Sequence, residues 1–176
     1  MVTTCSPANA GYLLSLGADV VVDYTQHPTP ESLASRVREA VGDDLGLAWD
    51  CVGSEHSARA CVGALSRERG GKYRSLLGVD DGVIKGVNEK VDNGVTFAYF
   101  VFGEEFRKWG PFPARPQDYE FGKTFWEMTR GLLAEGRVRA ARQDVNRGGR
   151  GLEGVLVGLR EMREGRVRGV KLVYTL

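Results

Sequence analysis

Short apolar runs alternate with amphipathic stretches along the chain, and this alternation restricts the folds open to it. Residues 2–5, 20–22 and 45–52 are apolar runs of strand length, and the stretches between them repeat apolar residues at helical spacing. Strands that alternate with helices are typical of βαβ units on a parallel sheet. We therefore predict a doubly wound α/β fold.

Helix start and stop residues divide the rest of the chain. Ser6-Pro7 has the form of a helix cap with proline in the first turn, and Gly17 is the expected end of that helix. A second helix is predicted from Pro30 to Gly42, and Gly53-Ser54 caps a third. Further strands are predicted at residues 73–77, 95–102 and 170–174, helices at 119–135 and 152–164, and loops at 80–94 and 109–116.

Composition is that of an ordinary globular protein. The chain has 176 residues, 42% of them apolar, with 24 Lys+Arg against 23 Asp+Glu. This excludes a disordered chain, and no apolar run approaches the roughly 20 residues that cross a bilayer. The N-terminus lacks the pattern of a secretory signal, so we expect a cytoplasmic protein without a membrane segment.

Three cysteines, Cys5, Cys51 and Cys61, form neither an even disulfide set nor a CxxC zinc pattern. We expect reduced, buried thiols and no metal site.

The C-terminal part of the chain is basic. Residues 130–176 hold 11 basic and 5 acidic side chains, whereas residues 1–129 hold 13 and 18. Clustered arginines favour an anionic ligand or a polyanion, but a solvated helical face with interspersed glutamates is the simpler interpretation. No recognition motif accompanies the charge, so we expect no nucleic-acid partner.

The end of the first strand of this chain, which we interpret as the second strand of a dinucleotide-binding fold, indicates a cofactor. No GxGxxG turn and no Walker A sequence precede a helix at the expected place. Dinucleotide-binding folds examine the adenosine ribose where the second strand ends, and NAD-selective domains place Asp or Glu there. Here residues 3–6 read Thr-Thr-Cys-Ser, without a carboxylate. An uncharged hydroxyl at a helix N-terminus can donate a hydrogen bond to a phosphate, whereas a carboxylate would repel it. This corner therefore favours NADP, which carries a 2′-phosphate.

Several runs in order along the chain resemble a known family. They are VTTCSPAN, LLSLGADVVVDY, DCVGSEHSARACVGAL, GGKYRSLL, FVFGEEF and GLEGVLVGLREMREGRVRGVKLVY. Together they resemble the cofactor-domain half of the zinc-independent medium-chain dehydrogenase/reductases. Within that family the sequence is most similar to the stand-alone trans-acting enoyl reductases that serve fungal polyketide synthases.

The resemblance implies an NADP site with residues in three places. Around the 2′-phosphate and the adenosine it places Ser6, Pro7, Ala8 and Asn9, with Tyr24 beside the adenine-side phosphate. Helix capping remains an equal interpretation for Ser6, and covering of the core for Tyr24.

On the nicotinamide side the resemblance implies contacts from two segments. Leu77 and Gly78 would meet the nicotinamide ribose, and the nicotinamide and substrate cavity would be lined by Phe100, Val101, Phe102, Gly103 and Glu104. The phenylalanines could equally be ordinary core residues. Val167 and Arg168 match a family contact near the cofactor, although a small residue is more usual than Arg168.

The resemblance also implies which part of the fold the chain contains and which reaction it serves. The sequence starts where the second strand of the family's cofactor domain would start, so we expect a partial Rossmann-type sheet without the first strand and its glycine-rich turn. The implied reaction is NADPH-dependent reduction of an α,β-unsaturated acyl thioester carried by the acyl carrier protein of a polyketide synthase. The alternative is a non-catalytic remnant or protein-binding module, because an exposed sheet edge tends to associate.

Overall fold

The computed structural model describes residues 1–108 and 110–176. The chain is divided into two compact units, Met1–Thr124 and Phe125–Leu176. The residues of helix α5 (Pro116–Ala134) fall on both sides of this boundary. Each unit has its own arrangement of strands and helices and is described by itself.

The first unit begins as the sequence predicts, with strands and helices in alternation. Its parallel strands and the helices between them are β1 (Val2–Cys5), α1 (Pro7–Ser15), β2 (Val20–Asp23), α2 (Pro30–Val41), β3 (Leu47–Asp50), α3 (Glu55–Ala64), β4 (Gly71–Ser75), α4 (Asp81–Val87) and β5 (Val91–Val95). A 3₁₀ helix, Tyr24–Gln26, follows β2 directly. The predicted α/β class is confirmed.

These strands form two parallel sheets rather than one. Strand β1 pairs with β2, so that Val2 lies opposite Val20 and Cys5 opposite Asp23. Strand β4 lies between β3 and β5 in the other sheet. Among the described residues, β1, β2, β3 and β5 each pair on one side only.

Two hydrophobic cores hold the sheets and helices together. Val22 of β2 packs with Ala34 and Val37 of α2 in one core, and Tyr73 of β4 packs with Val62 of α3 in the other. Leu45, in the segment before β3, contacts both cores. Helix α2 contributes to one core and helix α3 to the other, and the two helices therefore connect the two sheets.

The segment after β5 differs from the prediction. Residues 95–102 are predicted as a strand, but the strand ends at Val95 and Ala98–Phe102 is a 3₁₀ helix. The predicted loop 80–94 contains helix α4 and most of β5. In the predicted loop 109–116, Pro111–Phe112 (β7) pairs antiparallel with Phe106–Arg107 (β6), and Trp109 lies outside the described residues.

The second unit contains the last ten residues of α5, one further helix and two short strands. Strand β8 (Gln143–Val145) pairs in parallel with β9 (Lys171–Val173), and α6 (Gly151–Arg163) connects them. The helix and the last strand are confirmed, whereas β8 was not predicted. Gly154 and Gly158 are buried on α6, where a Cβ on either would meet the ring of Tyr174.

Of the three cysteines, one differs clearly from the prediction. Cys5 is buried and Cys61 is partly buried, but Cys51 is exposed because it follows the last residue of β3. Among the described residues, no helix is both long and apolar enough to cross a membrane.

Candidate cofactor site

The first predicted group of residues lies at the junction of β1 and α1. Ser6 occupies the N-cap position of α1, and Pro7 is the first helical residue. The amide of Asn9 donates to the carbonyl of Ser6 at 3.0 Å, but the Ser6 side chain makes no capping hydrogen bond. The first turn contains no acidic residue. Helix N-termini attract anions, so this corner suits a phosphate.

Asp23 and Tyr24 follow at the neighbouring strand end. Tyr24 starts the 3₁₀ helix after β2 and is 48% exposed. Asp23 lies opposite Cys5 in the sheet, and its Oδ1 accepts hydrogen bonds from the Thr25 amide at 2.9 Å and the Thr25 hydroxyl at 2.7 Å. Burial, and then the charge of Asp23, raise the pKa of the Cys5 thiol. The Asp23 carboxylate is therefore hydrogen bonded to Thr25, within the turn that directly follows β2.

The end of β3 carries a buried carboxylate that the sequence analysis missed. Asp50 is 3% exposed. Its Oδ1 accepts hydrogen bonds from the amides of Val52 at 2.8 Å and Gly53 at 3.0 Å. Its Oδ2 accepts from the hydroxyls of Ser57 and Tyr73, each at 2.8 Å. One carboxylate therefore fixes the turn after β3, the start of α3 and strand β4.

The turn after β3 contacts the segment after β4, where Leu77 and Gly78 lie. Gly53 has a positive φ of 68°, and a Cβ built on it would lie 2.7 Å from the Cβ of Leu77. The hydroxyl of buried Ser75 donates to the carbonyl of Leu77 at 2.6 Å. A Cβ built on Gly78 would meet no atom within 4 Å, so a ligand can approach its backbone. Leu77 itself is 48% exposed.

The remaining predicted residues of this unit lie in and after the second 3₁₀ helix. Phe100 is partly buried among the rings of Phe97, Phe106 and Phe112, at centroid distances of 5.5 to 6.0 Å. Phe102 is 67% exposed. The core interpretation thus fits Phe100, whereas Phe102 is free for a ligand or a partner.

Contacts on both sides hold this segment in place. The Cγ2 of Val101 packs against Gly122 of α5. Gly103 ends the 3₁₀ helix with a left-handed φ of 74°, and its carbonyl accepts from the amide of Arg115 at 3.0 Å. The Arg115 guanidinium lies 4.3 Å from the centroid of the Phe100 ring. Glu104 is exposed beside this turn.

Val167 and Arg168 lie in the second unit, between α6 and β9. Val167 is partly buried, and Arg168 is exposed with its Nε donating to the carbonyl of Gly165 at 3.2 Å. The other predicted residues follow the carboxyl ends of parallel strands in the first unit, whereas these two belong to the second unit. Among the described residues, no three His, Cys, Asp or Glu side chains are placed to hold a metal ion.

The sequence analysis does not predict the contacts that position these loops. They involve the buried residues Asp50, Tyr73 and Ser75 and the partly buried residues Gly53 and Ser57. One signal was present in the sequence. Asp50 lies at the end of an apolar strand, three residues before Gly53, and a charged side chain in such a place is costly to bury unless it is hydrogen bonded.

Curated relatives of this chain share one kind of description, although no protein-family profile matches. The trans-enoyl reductase resD of Aspergillus sclerotiorum is 38% identical over 175 residues, 97% of this chain and 46% of that protein. The trans-enoyl reductase tasC of Hapsidospora irregularis is 36% identical over 184 residues, covering 100% of this chain and 44% of that protein. The chain spans about half the length of these relatives.

Solved structures show the same architecture at lower identity. A putative NADPH:quinone reductase from Bacillus thuringiensis superposes with a TM-score of 0.69 at 16% identity, over 99% of this chain and 48% of that one. A mycobacterial protein complexed with NADPH gives 0.65 at 20% identity, over 98% and 49%.

These solved structures therefore share the fold of this chain. By sequence, the chain is homologous to the fungal trans-enoyl reductases, which match it at 32 to 38% identity.

Proposed function

We propose that this chain forms the NADPH-binding half of a trans-acting enoyl reductase. The substrate would be an α,β-unsaturated acyl thioester carried by the acyl carrier protein of a polyketide synthase. The relatives named as trans-enoyl reductases support the reaction, and the solved CurK enoyl reductase supports it through a TM-score of 0.62 over 97% of this chain.

One observation carries the cofactor assignment. The Ser6 hydroxyl makes no capping hydrogen bond at the start of a helix whose first turn has no carboxylate. A hydroxyl and unpaired backbone N–H groups bind a phosphate, whereas a carboxylate would repel it. Ser6 to Asn9 would hold the 2′-phosphate and adenosine, and Tyr24 would cover the adenine side.

The nicotinamide side would be held by the loops after β4 and β5. Bound NADPH would supply a hydride to the β-carbon of the substrate while a proton adds to the α-carbon, and the protein's task would be to orient the nicotinamide and the acyl chain. The exposed backbone of Gly78 and the side chain of Leu77 would meet the nicotinamide ribose. Their position is fixed by the Ser75 hydroxyl and by the Gly53 turn, which Asp50 holds. Phe102 and Glu104 would line the substrate side.

A binding titration tests this proposal directly. We expect purified chain to enhance and shift NADPH fluorescence with saturation, and to bind NADH at least about tenfold more weakly, because only NADPH carries the 2′-phosphate. Equal and very weak binding of both nucleotides would contradict cofactor use by this chain.

A non-catalytic binding module remains the second candidate, because β1 and β3 each have an unpaired edge among the described residues. Leu47 and Trp49 of β3 are also 57% and 53% exposed. Such edges and apolar surface favour association. Size exclusion distinguishes the candidates, since a concentration-dependent oligomer that binds no nucleotide supports the module and a monomer that binds NADPH supports the reductase.

A further inference from the structure

A cleft of about 470 Å³ lies between α2, α3 and α4, outside the candidate cofactor site. Its wall includes Leu65 and Arg67, which precede β4, and Lys90, which precedes β5. Leu77 and Gly78 follow the carboxyl end of β4 instead. Because these strands are parallel, the cleft lies toward the amino edge of the sheet and the cofactor loops lie at the opposite edge. The cleft is therefore a separate site.

The floor of the cleft is apolar. Three helices converge there, since a Cβ built on Gly63 of α3 would lie 3.0 Å from the Cβ of Ala34 of α2 and 3.8 Å from Cγ1 of Val87 of α4. Fully buried Val62 and Leu65 also line it. Small-molecule sites are typically concave and mostly apolar, with a few polar groups that orient the ligand.

The rim of the cleft is basic, and two of its cations have no ionic partner. Arg59 pairs with Glu55 at 2.8 Å, and Lys90 donates to the backbone carbonyls of Arg67 and Glu68. Within residues 1–108 and 110–176, the guanidinium groups of Arg38 and Arg67 form no ion pair within 4.0 Å. Burial, and then the charge of Arg67, lower the pKa of Arg38, and the charge of Asp43 partly offsets them.

Three carboxylates face or adjoin these cations. Glu31 and Glu89 lie on the rim. Asp43 lies in the adjoining groove, where it interacts electrostatically with Arg38 and Arg67, and its oxygens accept from the amide of Arg67 at 3.0 Å and from the hydroxyl of Ser66 at 3.3 Å. Four cations and two carboxylates line the cleft itself, and this excess of positive charge favours a ligand that brings negative charge.

We propose that this cleft binds a small organic anion, a phosphate ester with a compact apolar group. The phosphate is held by Arg38 and Arg67, and the apolar group lies on the floor formed by Ala34, Gly63 and Val87. Arginine suits this role because its planar guanidinium binds two phosphate oxygens at once. This inference does not depend on the proposed reductase function.

Titration of ¹⁵N-labelled chain with phenyl phosphate tests the proposal. We expect saturable shifts of the amides of Gly63, Arg67 and Asn88, with those of Ser6, Ala8 and Asn9 unchanged. Inorganic phosphate should bind at the same place but more weakly, because it cannot use the apolar floor. No saturable binding, or shifts confined to residues 6–9, would overturn the proposal, and equal affinity for the two probes would overturn the part played by the floor.

Matched variants locate the charge. Arg38→Gln and Arg67→Gln should each weaken phenyl phosphate binding by about tenfold, since each removes one charge-assisted contact. Arg36→Gln removes a positive charge from the same helix but from a side chain paired with Glu39, and should change the affinity less than about twofold. Because Arg67 is exposed, we expect Arg67→Gln to fold, and this variant tests the proposal even if Arg38→Gln does not fold. Unchanged binding in both cleft variants would refute the assignment.

Discussion

The hydroxyl of Tyr73 donates a hydrogen bond of 2.8 Å to Oδ2 of Asp50, across neighbouring strands of the three-stranded sheet. Tyr73 is fully buried and Asp50 is 3% exposed, and the carboxylate has three further donors. Burial and this hydrogen bond raise the pKa of Tyr73. The pair ties the interior of the sheet to the turn that contacts Leu77.

Removal of the Asp50 carboxylate should be costly. Asp50→Ala leaves two hydroxyls and two amides without their acceptor, and we expect the free energy of unfolding to fall by about 3 kcal/mol. Tyr73→Phe is the matched control, because it removes one donor and leaves the carboxylate with three, and should cost about 1 kcal/mol. Urea unfolding followed by circular dichroism measures both. A larger effect for Tyr73→Phe than for Asp50→Ala would contradict this account.

A carboxylate at Ser6 should select against NADPH. Ser6→Asp places a negative charge where we propose the 2′-phosphate, so NADPH binding should weaken by about tenfold while NADH binding changes little. Ser15→Asp adds the same charge at the other end of α1 and should leave both affinities within about twofold. The fluorescence titration reports both. Equal losses for the two nucleotides would argue against a phosphate at Ser6.

The three cysteines should react at very different rates. Burial raises the pKa of Cys61 to about 12, so at pH 8 only about one molecule in ten thousand carries its thiolate. Cys5 is buried, and Cys51 is exposed. A thiol-disulfide reagent at pH 8 should modify one thiol quickly in the native chain and all three in denaturant. Cys51→Ser should abolish the fast phase and Cys61→Ser should retain it; two fast thiols in the native chain would contradict the burial of Cys5 and Cys61.

Close packing in the second unit depends on Gly158. A Cβ at this position would overlap the hydroxyl and ring of Tyr174, whose hydroxyl donates to the carbonyl of Arg147 at 3.0 Å. Gly158→Ala should destabilise the unit by about 1 to 3 kcal/mol. Gly131→Ala in α5, where nothing lies within 4 Å, should be neutral or stabilise by up to about 1 kcal/mol. Thermal unfolding compares them, and equal effects would mean that α6 does not pack in this way.

The elements predicted well from the sequence are those with local signals. Ser54 caps α3 by accepting from the amide of Ser57 at 3.1 Å, and Thr29 caps α2 in the same way. The sequence predicts α3 from Ser54 and α2 from Pro30 and Gly42, in both cases together with the apolar spacing, whereas the cap at Thr29 is not predicted. The α/β class followed from the same alternation.

Elements whose stability comes from distant contacts were missed. Strand β5 contains Asp92, Asn93 and Gly94, which do not suggest a strand, but Asp92 pairs with Arg74 at 2.5 Å and Asn93 donates to the carbonyl of Val79. The aromatic residues after it do suggest a strand, yet they pack against one another in a 3₁₀ helix. In the candidate site, the residues at the strand ends stay a prediction, and the polar groups that position them are not predicted, because hydrogen bonds between strands leave little trace in a linear pattern.

Leu45 touches both cores of the first unit, and this contact has a consequence for how that unit comes apart. Neither sheet can lose its apolar packing without disturbing a side chain that the other sheet also uses. Opening should therefore be cooperative: the amides of β2 and β4 exchange with deuterium through the same rare event and at matching rates, although they belong to sheets that share no hydrogen bond.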